Sequence, residues 1–169
     1  LDGTDVPFHH TIFSIPEERV LVATCKSGGE FLKNKFPGEV QLIGPFLERQ
    51  DVDGDSLKKQ IQMALDAGKK PILLTGDQIP DERLLLYCLR QIGILHLMVE
   101  SPTYMWLLMG HAMLDEFFVN TSPLFIGGQI TPGYGQAFTE HQHPHSKFLV
   151  IAMHNHRFLY TRQKLVYGL

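Results

Sequence analysis

Three polar residues, Glu100, Ser101 and Thr103, lie between two apolar segments and are the residues best placed for chemistry. Residues 94–99 are mostly apolar and predict a buried strand. Residues 104–113 predict a helix that Ser101 or Thr103 caps. The free N–H groups and the positive dipole end of such a helix attract an anion such as a phosphate. Glu100, at the strand tip, would accept hydrogen bonds from a polar substrate ring.

The same residues also have a purely structural interpretation. Ser101 would cap the helix, Glu100 would be solvated, and no ligand would bind. Both interpretations stay open on spacing alone, although the turn after a buried strand of a βαβ unit is a common ligand position.

A second candidate site is the histidine cluster His141, His143 and His145. Alternate residues of an extended segment point to one side, as a metal site requires. However, Pro144 interrupts regular strand pairing, and no cysteine or carboxylate is obviously placed as a fourth ligand. A solvated polar loop is therefore favoured over a metal-dependent hydrolase, and no metal ligand is assigned.

Residues 51–55 contain three aspartates and suggest a calcium loop. Such a loop requires glycine at its sixth position and glutamate at its twelfth, where this chain has Ser56 and Gln62. Capping of a helix over residues 57–67 by Asp55 or Ser56 is the favoured interpretation.

Two further motifs do not meet the sequence requirements of the sites that they suggest. Cys25 follows a predicted strand but has no histidine near it in the sequence, so no nucleophile is assigned. The glycines between Gly127 and Gly135 do not open a helix, so the dinucleotide-binding fingerprint is absent.

The order of the predicted elements indicates an α/β fold. Strands are predicted at residues 19–24, 40–43, 71–76 and 94–99, alternating with helices at 30–35, 57–67, 81–91 and 104–113. The connections are too short for anything except parallel pairing covered by helices. A further strand begins at Asp115-Glu116 and ends on Gly127-Gly128, and residues 147–155 and 157–166 predict a hairpin. We therefore predict a single domain over residues 1–169, with a mostly parallel mixed sheet, antiparallel C-terminal strands and helices on both faces.

Composition limits the functional classes. A chain of 169 residues can bury one good core. A net charge of −3 argues against a nucleic-acid surface as the main function. Cys25 and Cys88 form no C-x-x-C pair and are interpreted as free thiols in a reducing compartment. No apolar run is long enough for a membrane span, and no signal peptide leads the chain, so a soluble cytoplasmic protein is expected.

Four segments together resemble the reductase domain of riboflavin-biosynthesis proteins, which has a dihydrofolate-reductase-like fold. They are Val-Glu-Ser-Pro-Thr at 99–103, Leu-Leu-Met-Gly at 107–110, Leu-Asp-Glu at 114–116 and Pro-Leu-Phe-Ile-Gly-Gly at 123–128. The family pattern is a strand ending in Glu before a Pro-Thr turn, a helix with paired leucines, a Val-Asp-Glu turn and a strand ending in Gly-Gly. Residues 20–24 and 158–162 are similar to the family's cofactor-side strand and its last antiparallel strand.

The resemblance implies an NADPH-dependent oxidoreductase. It would reduce the ribosyl group of a 5-amino-6-(phosphoribosylamino)uracil-type substrate to ribityl. Glu100 would touch the substrate, and the implied cofactor contacts are Thr24, Gly44, Ser101, Pro102, Thr103 and Tyr104. Hydride transfer needs mainly orientation and exclusion of water, so no catalytic acid–base pair is assigned. A homodimer paired through a sheet edge is also implied.

Two departures from the family pattern support an alternative. The glycines that follow the family's glutamate are missing, and such glycines let the backbone approach a phosphate. We also expect the sequence to begin after the strand–helix unit with which the family domain starts. The alternative is a non-catalytic, dihydrofolate-reductase-like interaction domain with a degenerate cofactor site.

Overall fold

The chain folds as two compact units, residues 1–97 and 98–169. The structure is a computed structural model that describes residues 6–15, 19–122, 138 and 143–168. Among these residues, the strands form one parallel and one antiparallel sheet of three strands each. The mixed α/β character is confirmed, but the strands are not hydrogen-bonded into one mixed sheet. The prediction that residues 1–169 form one domain stays a prediction.

The first unit contains the parallel sheet. Its elements are a 3-10 helix Thr11–Ser14, β1 Val22–Thr24, α1 Lys26–Lys35, β2 Val40–Phe46, a 3-10 helix Arg49–Asp51, α2 Gly54–Asp66, β3 Lys70–Thr75 and α3 Glu82–Gln91. The strand order is β1-β3-β2, with β3 in the centre. The β1–α1–β2 connection therefore passes over β3, and the return through α2 places β3 between the two earlier strands.

The side chains of β3 alternate between the two faces of this sheet. Ile72 and Leu74 pack in one cluster with Leu32 of α1. Leu73 packs in the other cluster with Leu57 of α2 and with residues of α3. All five of these side chains are at most 2% exposed, and full burial of each contributes about 2 kcal/mol. Helices therefore cover both faces of the parallel sheet, as predicted.

The helix starts in this unit differ from two predictions. α2 begins at Gly54 because Asp53 accepts a hydrogen bond from the Asp55 N–H (3.2 Å), so capping by Asp55 or Ser56 is wrong. α1 begins at Lys26 rather than near Glu30, and its two early glycines are buried within the helix. The predicted cap of α3 is confirmed, since the Asp81 carboxylate accepts from the Leu84 N–H at 2.9 Å.

The second unit contains α4 Pro102–Gly110, β4 Glu116–Thr121, β5 His145–His154 and β6 Phe158–Val166. Its antiparallel strand order is β4-β6-β5. The predicted hairpin between the last two strands is confirmed, because His154 pairs with Phe158 across a loop of residues 155–157. In this loop Asn155 and His156 have positive φ (50° and 55°), and the Arg157 N–H donates to the His154 carbonyl at 3.0 Å. β4 ends at Thr121, and the predicted strand end at Gly127-Gly128 lies outside the described residues.

The strand predicted over residues 94–99 is wrong. The segment between α3 and α4 has no regular secondary structure, and Leu95 and Met98 are 61% and 82% exposed. An apolar β-forming run becomes a buried strand only where a neighbouring strand pairs with it and both faces are covered. No described strand pairs with this segment, so propensity alone does not order it.

Candidate functional site

The turn that opens α4 is built by Ser101. Its Oγ accepts a hydrogen bond from the Tyr104 N–H (3.3 Å), and its carbonyl accepts from the Met105 N–H (2.9 Å). Pro102 is the first helical residue and has no N–H to offer. In the described structure the Thr103 N–H therefore remains as the donor of this first turn that no cap or helical bond uses. Of the two predicted caps, the structure selects Ser101.

The electrostatic environment of this turn weakly favours a bound anion. The first turn of α4 carries no acidic residue, and the Glu100 carboxylate, which directly precedes the cap, offsets only part of the positive end of the helix dipole. Pro102 and Thr103 are exposed to solvent. Thr103 therefore offers a backbone N–H and a hydroxyl to a ligand, which suits the oxygens of one phosphate group. The cap uses the Tyr104 N–H, so the backbone of that predicted cofactor residue is already bonded.

Glu100 directly precedes this turn and is exposed. The strand on whose tip it was predicted to lie is absent, as described above. The role of Glu100 in substrate binding stays a prediction.

The two predicted cofactor residues of the first unit are explained by packing. Thr24 is the last residue of β1, is 1% exposed, and pairs with Leu74. Gly44 has φ +100°, and a Cβ at that position would lie 2.9 Å from the Leu74 carbonyl oxygen. The sheet itself therefore requires a glycine at 44, and the buried Thr24 side chain gives a cofactor no surface. Packing thus accounts for both residues without a ligand, and their predicted contacts with a cofactor, like those at the α4 turn, stay a prediction.

Cys25, which sequence reasoning treated only as a free thiol, has a structured environment at the carboxyl end of β1. Its Sγ lies 3.2 Å from the Gln78 carbonyl oxygen, to which the thiol donates, and 3.3 Å from the Ser27 Oγ. Burial raises the pKa of this thiol, but hydrogen bonds from the Ser27 hydroxyl and the Gly28 N–H lower it, and the net pKa lies below its usual value. The signal in the sequence was a cysteine between a strand and a helix, followed closely by serine and glycine.

The histidine cluster is only partly described. The rings of His143 and His145 lie 5.0 Å apart, and His141 lies outside the described residues. Within the described part of the chain, no group of three histidine, cysteine, aspartate or glutamate side chains is arranged to hold a metal ion.

The aromatic side chains of α4 extend the site toward one described residue of the following connection. Trp106 is half-buried and stacks on Phe138 with ring centroids 4.2 Å apart and planes at 29°. Trp106 lies one helical turn beyond the capped residues, so its fluorescence can report on ligands that bind at the start of α4.

Comparison with protein-family models and with curated protein sequences gave no match. Among solved structures, a pyrimidine reductase-like protein from Corynebacterium diphtheriae matches 99% of this chain with a TM-score of 0.60 and 14% sequence identity. This chain has a pyrimidine reductase-like fold. It spans 60% of the length of that protein, and at this identity the likeness concerns the fold alone. The reductase-like fold predicted from residues 94–128 is thus confirmed, while its dihydrofolate-reductase-like details stay a prediction.

The helices of this reductase-like fold are short. Among the described residues, none is both long and apolar enough to cross a bilayer.

Proposed function

We propose that the chain is an NADPH-dependent reductase of the pyrimidine-reductase type, which reduces the ribosyl group of a ribosylamino-pyrimidine to ribityl. The observation that carries the proposal is the α4 turn, where an unused N–H and an exposed hydroxyl of Thr103 lie at the positive end of a helix without acidic residues. The reductase-like fold supports it. The buried free thiols of Cys25 and Cys88 are in keeping with work in a reducing compartment such as the cytoplasm.

In this proposal the residues of the chain bind and orient the cofactor and the substrate. Bound NADPH would supply the hydride. The N–H and hydroxyl of Thr103 would hold one phosphate of the cofactor, while the Ser101 cap keeps the turn in place. The Glu100 carboxylate would accept hydrogen bonds from N–H groups of the pyrimidine ring. Because hydride transfer depends on orientation and exclusion of water, no acid–base residue is invoked.

Cofactor titration tests the proposal. We expect saturable quenching of Trp106 fluorescence by NADPH and weaker binding of NADH. The same sample should turn over a ribosylamino-pyrimidine with consumption of NADPH. If neither dinucleotide binds to a chain of full natural length, the enzyme assignment is wrong.

One set of observations favours a second function, a non-catalytic interaction domain with the same fold. Thr24 is buried in the sheet, and Gly44 is required by the chain's own backbone. The first turn of α1 is also bonded to the chain's own carbonyls, at Lys26 and Ser27. The chain's own packing and hydrogen bonds thus account for these four residues, and an absence of NADPH binding together with a stable fold would select this second function.

We also propose that the partner of the chain is a second copy, paired through β5. This ten-residue strand lies at the edge of its sheet, all of its residues are exposed, and it carries one charged residue, Lys147, and no proline. Such an edge invites pairing with another strand. A register shift between Phe148 and Val150 divides the strand, so Phe148 and Ile151, which are three residues apart, lie on the same face of the sheet.

Because of this register shift, β5 of one copy can pair with β5 of a second copy. Antiparallel pairing of two copies about the midpoint of residues 149 and 150 places Phe148 opposite the partner's Ile151 on the same face of the joined sheet. Lys147 would then lie opposite the partner's Ala152, so no like charges meet across the junction.

A further inference from the structure

Residues 76–78 form a short segment, called the strap, whose consecutive backbone carbonyls lie over the first turn of α1. The Gly76 carbonyl accepts from the Lys26 N–H at 3.0 Å. The Asp77 carbonyl accepts from the Ser27 N–H at 3.1 Å. The strap therefore takes two of the four N–H groups that a helix start leaves without helical partners.

The third carbonyl of the strap holds a thiol. The Gln78 oxygen accepts from Cys25 Sγ at 3.2 Å and lies 3.5 Å from the Ser27 Oγ. Cys25 is 1% exposed. The same three residues thus close the helix start and bury the cysteine that precedes it.

The strap lies where ligands enter proteins of this architecture. Cys25 follows β1 and the strap follows β3, and these two strands are adjacent and parallel. The chain leaves β1 toward α1, which packs on one face, and leaves β3 toward α3, which packs on the other. Between neighbouring strands whose connections diverge in this way, an open α/β sheet has its binding crevice. In this structure the strap occupies that crevice.

Besides these bonds, the Gly76 N–H donates to the Phe46 carbonyl at 3.0 Å and anchors the first residue of the strap to β2, but the rest of the strap has few other contacts. The side chains of Asp77 and Gln78 are exposed, and Ile79, which follows them, is 78% exposed. The ion pair between Lys26 Nζ and the Asp77 carboxylate is exposed and 3.7 Å long, so it adds little. α1, in contrast, is anchored independently by the fully buried Leu32. Segments with few buried contacts open at a lower free energy than the core on which they lie.

We propose that residues 76–78 act as a gate that opens as one unit, releasing the first turn of α1 and exposing Cys25 while α1 and α3 stay folded. The gate controls access to the crevice between β1 and β3. When it is closed, the N–H groups of Lys26 and Ser27 are occupied and the thiol is shielded from reagents in solvent.

The alkylation rate of Cys25 by iodoacetamide in the full chain, followed by peptide mass spectrometry, measures gate opening. The thiolate sulfur displaces iodide and forms a thioether, and the thiol proton goes to solvent. Gly76→Ala perturbs the gate, because Gly76 has φ +80° and a Cβ there would overlap the Ile79 carbonyl oxygen. Gly68→Ala is the matched control, since Gly68 also has positive φ (67°) but has no neighbouring atom in the way.

In the unmodified chain we expect Cys25 to react far more slowly than in the denatured chain. Gly76→Ala should raise the Cys25 rate by about tenfold or more, while Gly68→Ala changes it by less than about twofold. Cys88, buried in α3, should stay slow in both variants and reports global unfolding. Equal Cys25 rates in the two variants, or acceleration of Cys88 together with Cys25 in Gly76→Ala, would overturn the gate. So would a Cys25 that reacts as fast in the folded as in the denatured chain.

Discussion

At the scale of single residues, Ser101 and its neighbours Glu100 and Thr103 have different roles. Ser101 holds the α4 turn through its hydroxyl, and a serine cap of this kind contributes about 1 kcal/mol to a helix. Thr103 and Glu100 are exposed beside it and carry no structural bond that the described residues show. Substitution of the two exposed residues therefore tests function separately from folding.

Glu100→Gln should weaken substrate binding and leave the fold intact. The change removes a charged acceptor but keeps the size of an exposed side chain, so the free energy of unfolding should change by less than about 0.5 kcal/mol. We expect KM for the pyrimidine substrate to rise about tenfold, as for loss of one charge-assisted hydrogen bond. Unchanged steady-state kinetics with a normal unfolding curve would place the substrate elsewhere.

At the scale of elements, the sequence predicted the features that depend on nearby residues but not those that depend on distant residues. Asp81 before an apolar periodic run and Asn155-His156 between two β-rich runs act through bonds to residues a few positions away, so the sequence alone predicted them. Residues 94–99 have the composition of a buried strand, but their state depends on whether another strand pairs with them. That information is not contained in the six residues themselves.

The residues of the candidate site show the same difference between local and distant contacts. A cap at Ser101 or Thr103 was predicted from their positions before an apolar helix, and the structure selects Ser101. The close approach of the Leu74 carbonyl to Gly44 and the hydrogen bond from Cys25 to the Gln78 carbonyl bring together residues 30 or more positions apart in sequence. Such pairings arise only from the strand order β1-β3-β2, which sequence analysis did not resolve.

The buried thiol of Cys88 in α3 leads to a prediction of how the free energy of unfolding depends on pH. Burial raises the pKa of Cys88 from 9.0 to about 11. A thiol whose pKa is raised by folding contributes stability that is fully present below its unfolded pKa and is lost as the pH rises toward the folded pKa. Between about pH 8 and about pH 10.5 the wild-type chain should therefore lose about 1 to 2 kcal/mol more than Cys88→Ala.

Urea unfolding at both pH values measures this difference. The substitution leaves a small cavity whose cost is the same at each pH, so it cancels in the comparison. Equal pH-dependent losses in the two chains would show that Cys88 titrates as freely when folded as when unfolded.

At the scale of the whole molecule, pairing through β5 makes a prediction about mass in solution. Ile151→Lys places a charge opposite the partner's Phe148 and should raise the dimer Kd by about tenfold or more, because an unpaired charge would be desolvated there. Met63→Lys is the control, since Met63 on α2 is 60% exposed and Ile151 is 63% exposed. Light scattering after size exclusion should give a dimer for the wild type and Met63→Lys. An unchanged mass for Ile151→Lys would contradict pairing through this edge.

The central claim is that the α4 turn holds a phosphate of the cofactor, and NADPH titration of Thr103→Asp tests it most directly. An aspartate in the first turn of a helix stabilises that helix but repels a phosphate. Thr103→Asn is the neutral control of the same size. The account predicts saturable NADPH binding by the wild type and Thr103→Asn, and binding weakened about tenfold in Thr103→Asp with no loss of thermal stability. Equal affinity in all three chains, or no binding by any of them, would contradict it.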